Sequence, residues 1–223
     1  MNIRLVRLIP LAGIVYAALE VIGNLSIGDF PDGDSPIAKI IANDSTHHAG
    51  IARGGLILHW AAFFLAFFAV ALWARIRSSD LHPVVAGAAL VGAAVAVVDE
   101  FAGAGVFSTI GFIGDKHTIA PATLQAVHLT GAGGGRISGD GGLAIMLLAI
   151  ATAGIAGRAF PRWLAWSALP LGLLQLTPIG FFAGLVFLHW AAVAGVYMAM
   201  RPEPAASARR ESSPRLARSA PTL

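Results

Sequence analysis

The 223-residue chain contains no cysteine. Disulfides, thiolate nucleophiles and sulfur-ligated metals are thereby excluded, while the compartment stays open. Charge is scarce as well, at 12% of residues, where a soluble domain carries ~25%. The formal net charge is only +3 and the basic residues gather at the ends of apolar runs, so nucleic acid is not an expected partner. A phosphate loop is also missing. The glycine tract at 131–142 is followed by no Gly-Lys-Ser/Thr, and Arg136 breaks the dinucleotide spacing. It reads as a flexible lead-in to the next helix, capped by Ser138 or Asp140.

What is present is apolar. Hydrophobic residues make up 57% of the chain, and mean hydropathy is +0.74. The expected fold is all-α, a polytopic membrane helix bundle. Six runs, at about 8–28, 54–74, 83–105, 142–157, 163–177 and 181–200, approach the ~20 residues that a helix needs to cross the hydrocarbon. They make one transmembrane domain over 1–201, with the lipid bilayer as its first partner. Glu20 and Asn24 interrupt the first run and no small-x-small cleavage site follows, so it reads as a retained span, not a signal peptide. Residues 202–223, rich in proline, serine and arginine, read as a disordered basic tail.

The connections sort by charge. Segment 29–50 carries Asp29, Asp32, Asp34 and Asp44 against Lys39 alone, and should lie outside. Within it, 35–43 suggests a short helix resting Ile37, Ile40 and Ile41 on the membrane surface. Arg75 and Arg77 begin a short inner turn, after which Pro83 suits the first turn of a helix. Gly103, Gly105, Gly111 and Gly114 predict an end or break in that helix. Segment 115–140 should again be outside, with a helix from Pro121 to Thr130. Thr177-Pro178-Ile179-Gly180 reads as a tight turn. Arg4/Arg7, Arg75/Arg77, Arg158/Arg162 and the tail then share one side, which the positive-inside rule makes cytoplasmic, with both termini.

Against this background the polar residues inside the spans stand out. Asp99 and Glu100 are the only charges in the run that starts at Pro83, and an Asp at a helix centre costs ~2.5–3.5 kcal/mol on insertion scales. Ala88, Gly92, Ala96, Glu100 and Gly103 fall on one small-residue stripe, so Glu100 should face a neighbouring helix. The pair lies about 24 Å along the helix from Pro83, in the outer half. Glu20 and Asn24 reach a similar depth in the first span. So do His59 and His189, each within a repeated Leu-His-Trp-Ala-Ala pentapeptide at 58–62 and 188–192, which raises the question of internal duplication. Trp60 and Trp190 read as packing or interfacial anchors. Asp115, His117, His47, His48 and His128 belong to the outer segments.

Three readings of this cluster stay open. Buried acids and histidines can simply pair and fix the bundle. They can form a binding or transport site, open to the outside, for a small molecule, a cation or a proton, with Glu20, Asn24, His59, Asp99, Glu100, His128 and His189 as candidates. Or they can serve an intramembrane enzyme acting on a lipid-like substrate, with His59, His189 and Glu100 holding a metal. Neither a cofactor nor an oligomeric state follows from the residues.

The opening Arg7-Leu8-Ile9-Pro10-Leu11-Ala12-Gly13-Ile14-Val15-Tyr16 and the junction Phe160-Pro161-Arg162-Trp163-Leu164-Ala165-Trp166 resemble six-span bacterial membrane proteins of the DUF4386-like kind. The Ala/Gly/Arg-rich usage is similar to that of a high-GC actinobacterium. The resemblance implies a multi-pass protein of the bacterial cytoplasmic (inner) membrane and brings no activity with it. Glu20-x-x-x-Asn24 also resembles, more faintly, the first span of membrane hydrolases related to alkaline ceramidases and adiponectin receptors. Those place Asn three residues after Glu, and their paired-histidine motif is missing here.

Overall fold

The computed structural model describes residues 8–31, 34–79, 81–113, 119–130, 135–157 and 159–201, with the backbone alone at 135–139. Arg4, Arg7, Asp115, His117, Arg158 and the 202–223 tail therefore lie outside the described residues. Among the described residues seven α-helices follow a short 3-10 turn at Ile9–Leu11: α1 Ala12–Ile27, α2 Ile37–Arg77, α3 Pro83–Ile113, α4 Pro121–Leu129, α5 Gly135–Ile155, α6 Arg162–Gln175 and α7 Gly180–Met200. There is no strand among the described residues. Among the described residues, four helices are long and apolar enough to cross a membrane: Ile9–Ile27, Ile37–Arg77, Pro83–Ile113 and Gly180–Met200. Asp140–Ile155 is apolar but shorter.

Six of the helices close a ring in chain order, since α1 packs on α2, α2 on α3, α3 on α5, α5 on α6, α6 on α7, and α7 back on α1. Neighbours run antiparallel. Around α1, Gly13 lies against Phe68 and Ala191, whereas Gly23, ten residues on, lies against Leu58, ten residues back along α2. The small helix α4 stays outside the ring and packs on α2 and α3. One core runs through the ring, and Tyr16, Leu65, Phe68, Leu72, Met146, Leu147, Ile150 and Phe187 are essentially inaccessible within it. In lipid, such contacts stabilise through close packing more than through water exclusion.

Small residues set how close the helices come. A Cβ at Gly92 of α3 would sit 2.6 Å from Met146 N and 2.7 Å from Gly142 O, so α5 lies directly on that glycine. The stripe expected on α3 is therefore real for Gly92 and Ala96, both buried. Gly28 ends α1 at φ 73°, a left-handed conformation that glycine adopts without strain.

Three local expectations need correction. Residues 37–43 form no separate surface helix: they are the first turns of the 41-residue α2, and Ile40 is fully buried in protein. At 1.5 Å per residue α2 is about 60 Å long, twice the ~30 Å of hydrocarbon, so it extends well past the membrane. Gly103, Gly105 and Gly111 do not break α3 either, since the helix runs unbroken past them to Ile113; Gly114 lies outside the described residues. Gly111 seats against Ala52 of α2, and that contact holds the helix on where propensity alone would end it. Finally, Asp140 and Ser138 are not caps, because α5 is helical from Gly135. The helix expected from Pro121 and the turn before Gly180 are both present.

The arginines at the described helix ends collect at one end of the ring. Arg75 donates from Nε to Ala159 O at 2.7 Å and from Nη1 to Arg201 O at 2.9 Å. Its guanidinium also lies 5.7 Å from the Phe160 ring centre and 5.3 Å from that of Tyr197.

Candidate functional site

Away from the arginines, the ring is hollow. A cavity of about 450 Å³ opens between the second half of α1, the second half of α3 and the first turns of α5 and α7. Its polar lining residues are Tyr16, Glu20, Asn24, Asp99, Glu100 and Asp140. Three of these stand at four-residue spacing on α1, which puts Tyr16, Glu20 and Asn24 on one face of that helix.

The polar groups form a chain across the α1–α3 gap. Asn24 donates from Nδ2 to Glu20 Oε2 at 3.2 Å and to Glu20 O at 2.9 Å. Tyr16 donates its hydroxyl to Glu100 Oε1 at 3.4 Å. Between these bonds the Glu20 and Glu100 side chains interact across the gap, both lining the cavity. Glu20 is only 8% exposed, and its Oε1 is reached by no donor. Two neighbouring carboxyls are both acceptors when ionised, so a proton or another cation between them relieves their repulsion. Asp99 and Asp140 line the same space and have contacts of their own. The buried Gln175 sets its amide nitrogen 3.2 Å from both Asp140 Oδ1 and Gly180 O, which ties α5 to the start of α7.

Of the residues singled out from the sequence, Glu20, Asn24, Asp99 and Glu100 come together here, and the three histidines do not. His59 is half-buried beside Phe101, with Nδ1 donating to Gly55 O of its own helix at 2.8 Å. His189 is exposed on the face of α7 that also carries Leu185, Val186, Val193 and Val196, and its Nδ1 donates to Leu185 O at 3.1 Å. Neither lines the cavity. The set His59, His189 and Glu100 therefore holds no metal in common, and among the described residues no three His, Cys, Asp or Glu side chains could hold one. The repeated pentapeptides are also rotated relative to each other: Trp60 is exposed, whereas Trp190 is buried and donates to Ser167 Oγ at 3.2 Å.

His128 belongs to a second, separate cluster. It is fully buried on α4, and its Nε2 lies 2.8 Å from Asp44 Oδ2, itself fully buried on α2. Phe30 stacks on the imidazole at 4.5 Å and meets Phe107, a cavity wall residue, edge-on at 5.1 Å. Sequence reasoning missed Tyr16, Asp140 and Asp44. The spacing of Tyr16 to Glu20 was the available signal for the first; Asp140 was hidden in a glycine tract, and nothing local distinguishes Asp44 from the exposed acids around it.

These features define a helical membrane protein with an acid-lined cavity inside its bundle. No protein-family model matches the chain, and no curated protein or solved structure does either.

Proposed function

We propose that the chain is a six-span protein of a bacterial cytoplasmic membrane, both termini inside, whose cavity binds a cation from the outer side in exchange for a proton, as one step of transport. The six-span reading rests on the closed antiparallel ring, which needs α5 and α6 as well as the four longer helices. Resemblance to the DUF4386-like proteins implies the same count. At 14 residues α6 spans about 21 Å, short of the ~30 Å hydrocarbon, a mismatch that local thinning of the bilayer accommodates. The arginines at one end of the ring support the orientation.

One observation carries the functional reading. Glu20 and Glu100 line one cavity across the α1–α3 gap, with the buried Glu20 Oε1 undonated. Holding one proton, the pair has a single negative charge. A monovalent cation that replaces the proton leaves that charge unchanged, so the exchange avoids the large cost of changing net charge in a low-dielectric site. Among the described residues no group of three His, Cys, Asp or Glu is placed to hold a metal, so the geometry offers the enzyme reading no comparable observation.

Infrared difference spectra between acidic and alkaline pH, recorded on protein in lipid nanodiscs, test the exchange. A protonated-carboxyl stretch should appear in the wild type, vanish in Glu100→Gln and weaken when the bound cation is supplied. A carboxyl band unaffected by substitution at either glutamate would remove the reading.

A further inference from the structure

The shape of the cavity says more than its charge. A proton or a bare metal ion needs almost none of the roughly 450 Å³ available. At the ~30 Å³ that a water molecule occupies, this space takes about fifteen non-hydrogen atoms, within the ~300–1,000 Å³ range of small-molecule pockets. Six of the twenty lining residues are polar, and the rest are aliphatic, aromatic or glycine. The apolar lining includes Phe107, two turns beyond Glu100 on α3, and Phe181, Leu185 and Leu188 of α7. The cavity's four carboxylates offer oxygens to an inorganic cation, but the fourteen apolar or glycine lining residues would offer such an ion nothing. An apolar body would find the contacts it needs.

The polar end has a defined requirement. Glu20 Oε1 is more than nine-tenths buried within a residue lining the cavity, and it lacks a donor. Tyr16 already spends its hydroxyl proton on Glu100, and Asn24 directs its amide nitrogen to Glu20 Oε2 and Glu20 O. What fits between the two carboxyls is a group that is both positive and rich in N–H donors.

Resting on the exchange reading above, we infer that the ligand is a primary or secondary organic ammonium ion with an apolar or aromatic body. Its nitrogen lies between Glu20 and Glu100, and its body lies along Phe107 and Phe181. Charge-assisted hydrogen bonds to the carboxyls supply orientation, and the aromatic walls add cation–π attraction where they approach the nitrogen.

Three probes of one shape separate the alternatives, titrated calorimetrically into the full chain in detergent. They are 2-phenylethylamine, its neutral isostere propylbenzene, and N,N,N-trimethyl-2-phenylethylammonium, which keeps the charge but has no N–H. The amine should bind about tenfold or more tighter than either of the others, the factor a hydrogen bond to a charged group contributes, and Glu20→Gln should abolish the difference. Propylbenzene binding as well as the amine would mean a cavity for apolar chains such as lipid tails, and would overturn the inference. Equal binding of the trimethyl cation would remove the requirement for N–H donors and overturn it as well. If no organic probe binds while sodium weakens the infrared carboxyl band, the ligand class is wrong and the exchange reading survives. If the band responds to nothing, both fail.

Discussion

The imidazole of His128 and the carboxylate of Asp44, 84 residues apart in the chain, meet at 2.8 Å with neither side chain accessible. The other ring nitrogen, Nδ1, faces Pro31 O at 3.3 Å. Each nitrogen thus meets an oxygen. The pair fastens α4 to α2 and holds the segment after α1 beneath it, with Phe30 lying flat on the ring. Removing one partner strands the other in a dry site. Asp44→Ala should lower stability by about 3–5 kcal/mol, as breaking buried pairs does. The double change Asp44→Leu with His128→Phe should recover much of that loss while keeping the stack on Phe30. Thermal melts of Asp44→Leu, His128→Phe and the double variant check this; additive losses would show that the two residues do not act as a pair.

The cavity glutamates make the opposite forecast. Glu20→Gln brings an amide donor to the place where Glu20 Oε1 has none, beside Glu100. Its melting temperature should equal or exceed that of the wild type, while cation binding disappears. Glu100→Leu removes the acceptor of the Tyr16 hydroxyl and the partner of Glu20 together, and should cost about 1–3 kcal/mol. Wild-type melts and unchanged ligand response in both variants would show that these carboxyls are not the centre of a site.

Two glycines on α3 should respond differently to one methyl group. At Gly92 the added Cβ would meet the backbone of α5, which cannot move aside as a side chain does. Gly92→Ala should therefore destabilise by about 1–3 kcal/mol, the usual overpacking cost. At Gly87 nothing lies within 4 Å of an added Cβ. Gly87→Ala should be neutral or stabilising by up to about 1 kcal/mol through helix propensity. Melts of both in the same detergent decide it, and equal behaviour would mean that α3 and α5 are not in close contact.

Orientation can be read with single cysteines, since the chain has none of its own. Ser35→Cys, just before α2, should react with an impermeant thiol reagent in intact cells, and Ser79→Cys, in the turn between α2 and α3, should react only after lysis. The reverse pattern would invert the bundle.

The helices were legible because each apolar run carries its own punctuation: Pro83 opens α3, Pro121 opens α4, and Arg75 and Arg77 close α2. Glycine was the ambiguous sign. Gly111 and Gly142 read as breaks in isolation, yet both are places where one helix rests on another, and only the neighbour's position reveals which. In the site, Glu20 and Glu100 stood out because each is an acid in an apolar run. Their meeting depends on how α1 and α3 approach across the cavity, a relation no local pattern encodes. His59 and His189 stood out on the same grounds of residue type, but a one-residue difference in rotation decides whether such a side chain faces the bundle or its surroundings. The pentapeptides share five letters and present different faces.

The grip of Arg75 on the turn before α6 and on the end of α7 has a mechanical meaning. Three chain segments are pinned at one end of the bundle, and the opposite end encloses empty space. Rocking of α2 or α7 would then pivot about the pinned end, with displacement growing along the lever arm toward the cavity. Such a body would behave like tweezers, shut at the arginine end and free to widen where the first turns of α7 line the cavity. Cutting the pin with Arg75→Gln would shift the fulcrum itself.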